Sequence, residues 1–161
     1  MSFRSMQIVG ALVLTLSAAT LSAQLPNPYG PPINGENAKK VAVAALAEAR
    51  KNGWTMAVAV VDPAGDLVYF EKLDGTQAAS VTIAVDKARS SARFKRPTKA
   101  LQDQLAAGGD GLRVLRLDGA VPVEGGVPLL IDGKIVGAVG MSGGTSAQDG
   151  QCATAGAAAV K

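Results

Sequence analysis

The chain of 161 residues contains no histidine. That removes the usual general base of a serine or cysteine nucleophile and the commonest protein ligand of transition metals. There is a single cysteine, Cys152, which excludes an intramolecular disulfide and any cysteine-based structural zinc site. Within its alanine-rich surroundings Cys152 reads as a small buried hydrophobe rather than a reactive thiol. No G-x-G-x-x-G follows an apolar run, and nothing repeats internally. Charge is also modest. Residues 1–23 hold only Arg4, and the remainder carries 15 basic and 13 acidic residues, a net charge of +2. Such a balance gives no reason to expect nucleic acid or a membrane surface as partner.

What is present begins with a targeting pattern. Arg4 precedes an apolar run from Ile8 to Leu16, and small residues end at Leu21-Ser22-Ala23. This predicts a signal peptide over residues 1–23 and an exported protein, periplasmic or secreted, without a stable membrane anchor. Residues 24–33 contain four prolines and read as a Pro-rich N-terminal arm or spacer. Residues 34–161 are then one domain, long enough to bury a core.

Within that domain Asn34-Gly35-Glu36-Asn37 offers helix caps, and Ala38, Val41, Ala42, Ala45, Leu46 and Ala49 recur at helical spacing before Asn52-Gly53. Trp54 to Val61 is apolar on both parities, as in a central strand covered on both faces. The turn Asp62-Pro63-Ala64-Gly65-Asp66 leads to a return strand over Leu67 to Phe70. Ser80 is the expected cap of a second helix with Val81, Ala84, Val85, Ala88 and Ala92 inward. Arg96-Pro97 interrupts it, and Thr98 is the expected cap of a short third helix ending near Gly108-Gly109. Leu112 to Leu117 reads as a strand. Two apolar runs around Asp132-Gly133 predict a tight hairpin, and Gln148 to Val160 a closing helix. The sum is α+β, with a five-stranded antiparallel sheet and flanking helices.

Two clusters bear on chemistry. Gly140-Met141-Ser142-Gly143-Gly144 matches the G-x-S-x-G nucleophile elbow after a strand and before a helix. Without a histidine, and with no lysine nearby except Lys134 at the hairpin tip, Ser142 lacks a base. The loop is either a plain connection or a set of backbone N–H groups that hold an anion. Arg89, Arg93, Lys95, Arg96 and Lys99 place five positive charges within eleven positions. They form either a solvated helix edge or a recess for carboxylates or phosphates, gripped by guanidinium forks. Phe94 and Pro97 add apolar surface among these charges, which suits a flat, acid-bearing ligand. Asp86 and Lys87 are adjacent on the second helix and form no acid/base pair there.

Taken in order, several segments resemble the GlcG/HbpS-like family, also described as the haem-degrading domain family. They are the Ala-rich first helix, Val58-Ala59-Val60-Val61-Asp62-Pro63-Ala64-Gly65, Asp86-Lys87-Ala88-Arg89 through Phe94, and Arg96-Pro97-Thr98. Gly125-Gly126-Val127-Pro128-Leu129 and Ile135 through Gly143 complete the set. The resemblance implies a profilin-like fold and homo-oligomers. It also implies haem or a related tetrapyrrole as ligand, with Thr98 as an iron contact and Asp86 as a metal contact. The ligand-binding set would be Lys87, Arg93, Phe94, Arg96 and Thr98. Since no imidazole is available as axial ligand, affinity would come mainly from burying the macrocycle and pairing its propionates with Arg93 and Arg96. The expected function is an exported small-molecule-binding protein, a haem carrier or sensor. The alternatives are an enzyme acting on haem or a small carboxylic acid, and an oligomeric accessory protein without catalysis.

Overall fold

The computed structural model describes residues 27–160; the expected signal peptide, residues 1–23, lies outside the described residues. Helix α1 (Gly35–Lys51) starts at Asn34, whose side chain accepts a hydrogen bond from the Asn37 N–H at 2.9 Å. The six apolar positions expected to face inward are all buried. Strands β1 (Ala57–Val61) and β2 (Leu67–Lys72) follow, then α2 (Ser80–Phe94) and α3 (Thr98–Ala106). A 3-10 helix spans Gly109–Arg116, and β3 (Gly126–Ile131), β4 (Lys134–Ser142) and α4 (Ser146–Ala157) complete the chain.

The strands form an antiparallel sheet in the order β2-β1-β4-β3. Between β3 and β4, Asp132 and Gly133 take φ of 50° and 71°, the left-handed pair that a two-residue hairpin requires. Helices α1 and α4 cover one face over Val58, Val60, Leu129, Val139 and Met141. Helix α2 covers the other through Ala84, Ala88 and Ala92, set on Ala57, Ala59, Val61 and Ala138. Every residue of β1 is buried, which is why its sequence is apolar on both parities.

Helix α2 lies unusually close to the sheet, and the register explains how. Ala59, Gly140 and Gly126 pair across β1, β4 and β3, so a row of minimal side chains runs beneath the helix. A Cβ at Gly140 would collide with the carbonyl of Ala84, and one at Gly126 with that of Lys87. Backbone therefore packs on backbone.

The sheet has four strands where five were expected. The segment Leu112 to Leu117 is not a strand: Gly109–Arg116 is a 3-10 helix and pairs with no strand. Gly108 and Gly109 enter it at φ of 67° and 53°, and Gly111 presses on the Gln104 carbonyl, turning the backbone back onto α3. Only Val114 of this stretch is buried, while Leu112, Leu115 and Leu117 are exposed. Two expected caps also differ. Ser80 is the first residue of α2 and its hydroxyl bonds Ser142; Thr98 opens α3 with its hydroxyl turned to β3. Helix α4 starts earlier than expected, closed by a capping box of Thr145 and Gln148.

Part of the Pro-rich arm runs along β4 just beyond the end of β1. The Ile135 N–H donates to the Pro28 carbonyl, and the N–H groups of Gly30 and Ile33 donate to Ile135 and Val136, each at 2.8 Å. The Tyr29 hydroxyl donates to the Ala92 carbonyl at 3.0 Å, tying the arm to α2.

Gly140→Val should lower unfolding free energy by about 3 kcal/mol, because the added methyls force α2 off the sheet. Gly35→Ala, where an added Cβ meets nothing within 4 Å, should stay within about 0.5 kcal/mol of the parent. Urea denaturation of both variants is the check, and equal costs would refute the close-packing account.

Candidate functional site

The residues singled out in the sequence divide into two groups on either side of α2. The inner group surrounds Gly125-Gly126. Lys87 reaches from α2 to Asp149 in the first turn of α4, with Nζ and Oδ2 2.7 Å apart and both side chains almost wholly buried. Asp149 Oδ1 also accepts from the Gly144 N–H at 3.1 Å. Burial pushes the Asp149 carboxyl above its ordinary value, and Lys87 and the Gly144 and Gly143 N–H groups pull against that shift. Thr98 has no exposure, and its Oγ1 accepts from the Gly126 N–H at 2.9 Å. The glycines make this arrangement possible. A Cβ at Gly125 would stand 2.8 Å from Lys87 Nζ, and one at Gly126 2.7 Å from Thr98 Cγ2.

The same group settles the two readings of the glycine loop. Ser142 is buried, and its hydroxyl donates to Ser80 at 3.2 Å, so it is neither exposed nor hydrogen-bonded to a base. The loop does hold an anion, and that anion is the chain's own Asp149. Sequence reasoning passes over Asp149. The signal available was an acidic residue in the first turn of an Ala-rich helix, five positions after Gly144 of a Gly-Gly pair.

The outer group lies on the opposite side of α2. Asp86, Arg89 and Arg93 line a half-open recess of about 360 Å³ with Gly119 and Val121. Arg89 Nε donates to the Gly65 carbonyl at 3.0 Å, and Arg93 Nε to the Ala64 carbonyl at 2.9 Å. Both arginines are thus held by the β1–β2 turn. Across the recess, the Val121 N–H donates to the buried Ser90 hydroxyl at 3.0 Å. Asp86 sits 4.0 Å from Arg89 Nη1. Phe94 is half-buried at the end of α2, and Arg96, exposed, donates from Nε to the Phe94 carbonyl at 3.0 Å. Lys95 lies over the Tyr29 ring, 4.1 Å from its centre. Thus Arg93 and Arg96 are exposed on either side of the half-buried Phe94 along the chain, and Arg93 also lines the recess. Lys87 and Thr98 are enclosed, and Asp86 belongs to the recess. No group of three or more histidine, cysteine or acidic side chains that could hold a metal ion occurs among the described residues.

Breaking the inner pair leaves a buried charge. Lys87→Met or Asp149→Asn should each cost about 3–5 kcal/mol, and the double variant less than the sum of the two. Because the folded-state carboxyl of Asp149 titrates above 3.8, its linked contribution is fully present below that value and lost as pH rises through the folded pKa. The stability gap between the parent and Asp149→Asn should therefore widen on acidification, as read from denaturation at several pH values. Burial, with Glu48 and Asp149 adding, pushes the Cys152 thiol up to about 11. A thiol reagent at pH 8 should modify it only after unfolding; rapid native labelling would contradict its enclosure.

Comparisons with known proteins agree on one grouping. The family model described as "Haem degrading protein HbpS-like" matches residues 33–158. Protein GlcG of Escherichia coli strain K12 is 36% identical over 110 residues, 68% of this chain and 81% of that protein. A double mutant of HbpS from Streptomyces reticuli shares 28% identity with a TM-score of 0.75, covering 95% of this chain and 99% of that one. The PduOC:heme complex is 25% identical with a TM-score of 0.72, over 81% of this chain and 96% of that one. With a family model that spans nearly every described residue and a relative above 30% identity, the chain belongs to the HbpS-like family.

Proposed function

We propose that the protein binds haem or a related tetrapyrrole at the surface formed by Arg93, Phe94 and Arg96, as a carrier or sensor. The observation that carries this reading is that two exposed arginines flank the half-buried Phe94 along the chain at the end of α2, with Arg96 bonded back to the Phe94 carbonyl. That pattern suits a flat ligand with acid side arms. Membership of a family described as haem degrading and similarity to a protein solved with haem support the choice of ligand.

The residues present fit part of this group. Exposed arginines match its carboxylates and Phe94 matches its apolar face. An iron ligand at Thr98 does not fit the chain as folded, because its hydroxyl is enclosed and already bonded to Gly126. Bound haem would supply the iron and its redox chemistry. The chain's own part is to hold the carboxylates and shield one face of the ring.

A homo-oligomer is the second element of the reading. Leu112, Leu115, Leu117 and Val123 are between 42% and 63% exposed, and apolar side chains clustered in one short stretch favour a protein partner. Export rests on the sequence of residues 1–23.

Titrating the purified protein with haemin should give a saturable Soret change. Arg93→Ala and Arg96→Ala should each weaken it by about tenfold, the loss of one charge-assisted hydrogen bond. Absence of a saturable spectral change would end the haem reading.

A further inference from the structure

The recess on the outer side of α2 has features that a solvated helix edge does not need. Arg89 and Arg93 lie one turn apart, and each spends its Nε on a backbone carbonyl of the same turn. Gly65 lets that turn come close: a Cβ there would stand 2.9 Å from Arg93 Nε and 3.3 Å from Arg89 Cγ, at a φ of +94°. The guanidinium planes are therefore fixed before any ligand arrives, and their terminal amino groups make no hydrogen bond among the described residues. Pre-set forks of this kind lose little freedom on gripping a carboxylate. The facing wall is also fixed, by the bond from the Val121 N–H to Ser90.

Asp86 decides which anion fits. Two guanidinium charges and one carboxylate leave the recess with a single net positive charge, matched to a monoanion rather than to a phosphate dianion. The Asp86 carboxylate accepts no hydrogen bond among the described residues, since the Arg89 Nη1 contact at 4.0 Å is too long for one. It is left to accept from a ligand. We infer that this recess binds a small monocarboxylate bearing a hydroxyl or ammonium group on the adjacent carbon. Arg89 and Arg93 grip the carboxylate, and Asp86 accepts from the neighbouring donor. A volume of about 360 Å³ admits a molecule of that size and not a whole tetrapyrrole. The inference shares Arg93 with the haem reading and otherwise does not depend on it; Arg89 and Asp86 are the residues that distinguish it.

The test is calorimetric titration of the full purified protein with lactate, alanine, propionate and inorganic phosphate, with haemin titrated separately. Lactate or alanine should bind saturably in the millimolar range, with propionate about tenfold weaker because it gives Asp86 no donor. Asp86→Ala should erase the difference between lactate and propionate. Arg89→Lys, which keeps the charge and the stem but not the fork, should weaken lactate binding about tenfold while circular dichroism shows the fold retained. Phosphate binding tighter than lactate, no saturation by lactate or alanine, or an Arg89→Lys variant that binds like the parent would each overturn the inference. Haemin binding without lactate or alanine binding removes the recess site and keeps the haem reading. The reverse result removes the haem reading and keeps the recess.

Discussion

The structure depends on the seating of α2 against the sheet. A helix normally stands off a sheet by the depth of two layers of side chains. Here Ala59, Gly140 and Gly126 form a row of minimal side chains across three paired strands, and the helix presents Ala84, Ala88 and Ala92 to that face. Backbone meets backbone, and dispersion contacts replace the usual interdigitation of larger groups. Every side chain leaving α2 is consequently displaced toward the sheet, so its flanks, rather than its outer face alone, touch neighbouring loops.

On one flank this brings Lys87 far enough inward to meet Asp149. A buried ion pair is not in itself a source of stability, since desolvation offsets much of the attraction. What the pair does is tie separate elements together. The pair fixes α2 to the start of α4, and through Gly144 it also fixes the glycine loop between β4 and α4. Thr98 and Gly126 add a second tie between α3 and β3 at the same place. On the other flank the β1–β2 turn captures Arg89 and Arg93 by their Nε atoms. One helix thus separates a closed, internally satisfied polar cluster from an open one whose polar groups are still available.

Periodicity made most elements legible in the sequence. The first helix, the β1–β2 hairpin, the Asp132-Gly133 turn and the Ala-rich face of α2 follow from spacing and turn chemistry that act within a few residues. The same local logic misplaced Leu112 to Leu117, because an alternating apolar run is equally compatible with a 3-10 helix when glycines at its start turn the chain away from the sheet edge. It also assigned Ser80 and Thr98 to helix caps, when each hydroxyl has a distant partner, Ser142 and Gly126 respectively. Hydroxyls bond whichever group the fold brings near, and that is decided at long range.

By itself the sequence determined most element types, Leu112 to Leu117 excepted, and the exclusion of disulfide, cysteine-zinc and histidine-based chemistry, since composition and short-range periodicity suffice for these. It also supplied the basic cluster from Arg89 to Lys99, but not which of its members share a site. Only the tertiary structure placed Arg89 and Arg93 in a recess, enclosed Lys87 and Thr98, and gave the glycine loop an anion from its own chain. The physical reason is that burial and hydrogen-bond partnership are properties of pairs. The Lys87–Asp149 partners stand 62 positions apart, and those of Arg89 and Gly65 stand 24 apart. No local pattern encodes which of two charged neighbours will lose its water.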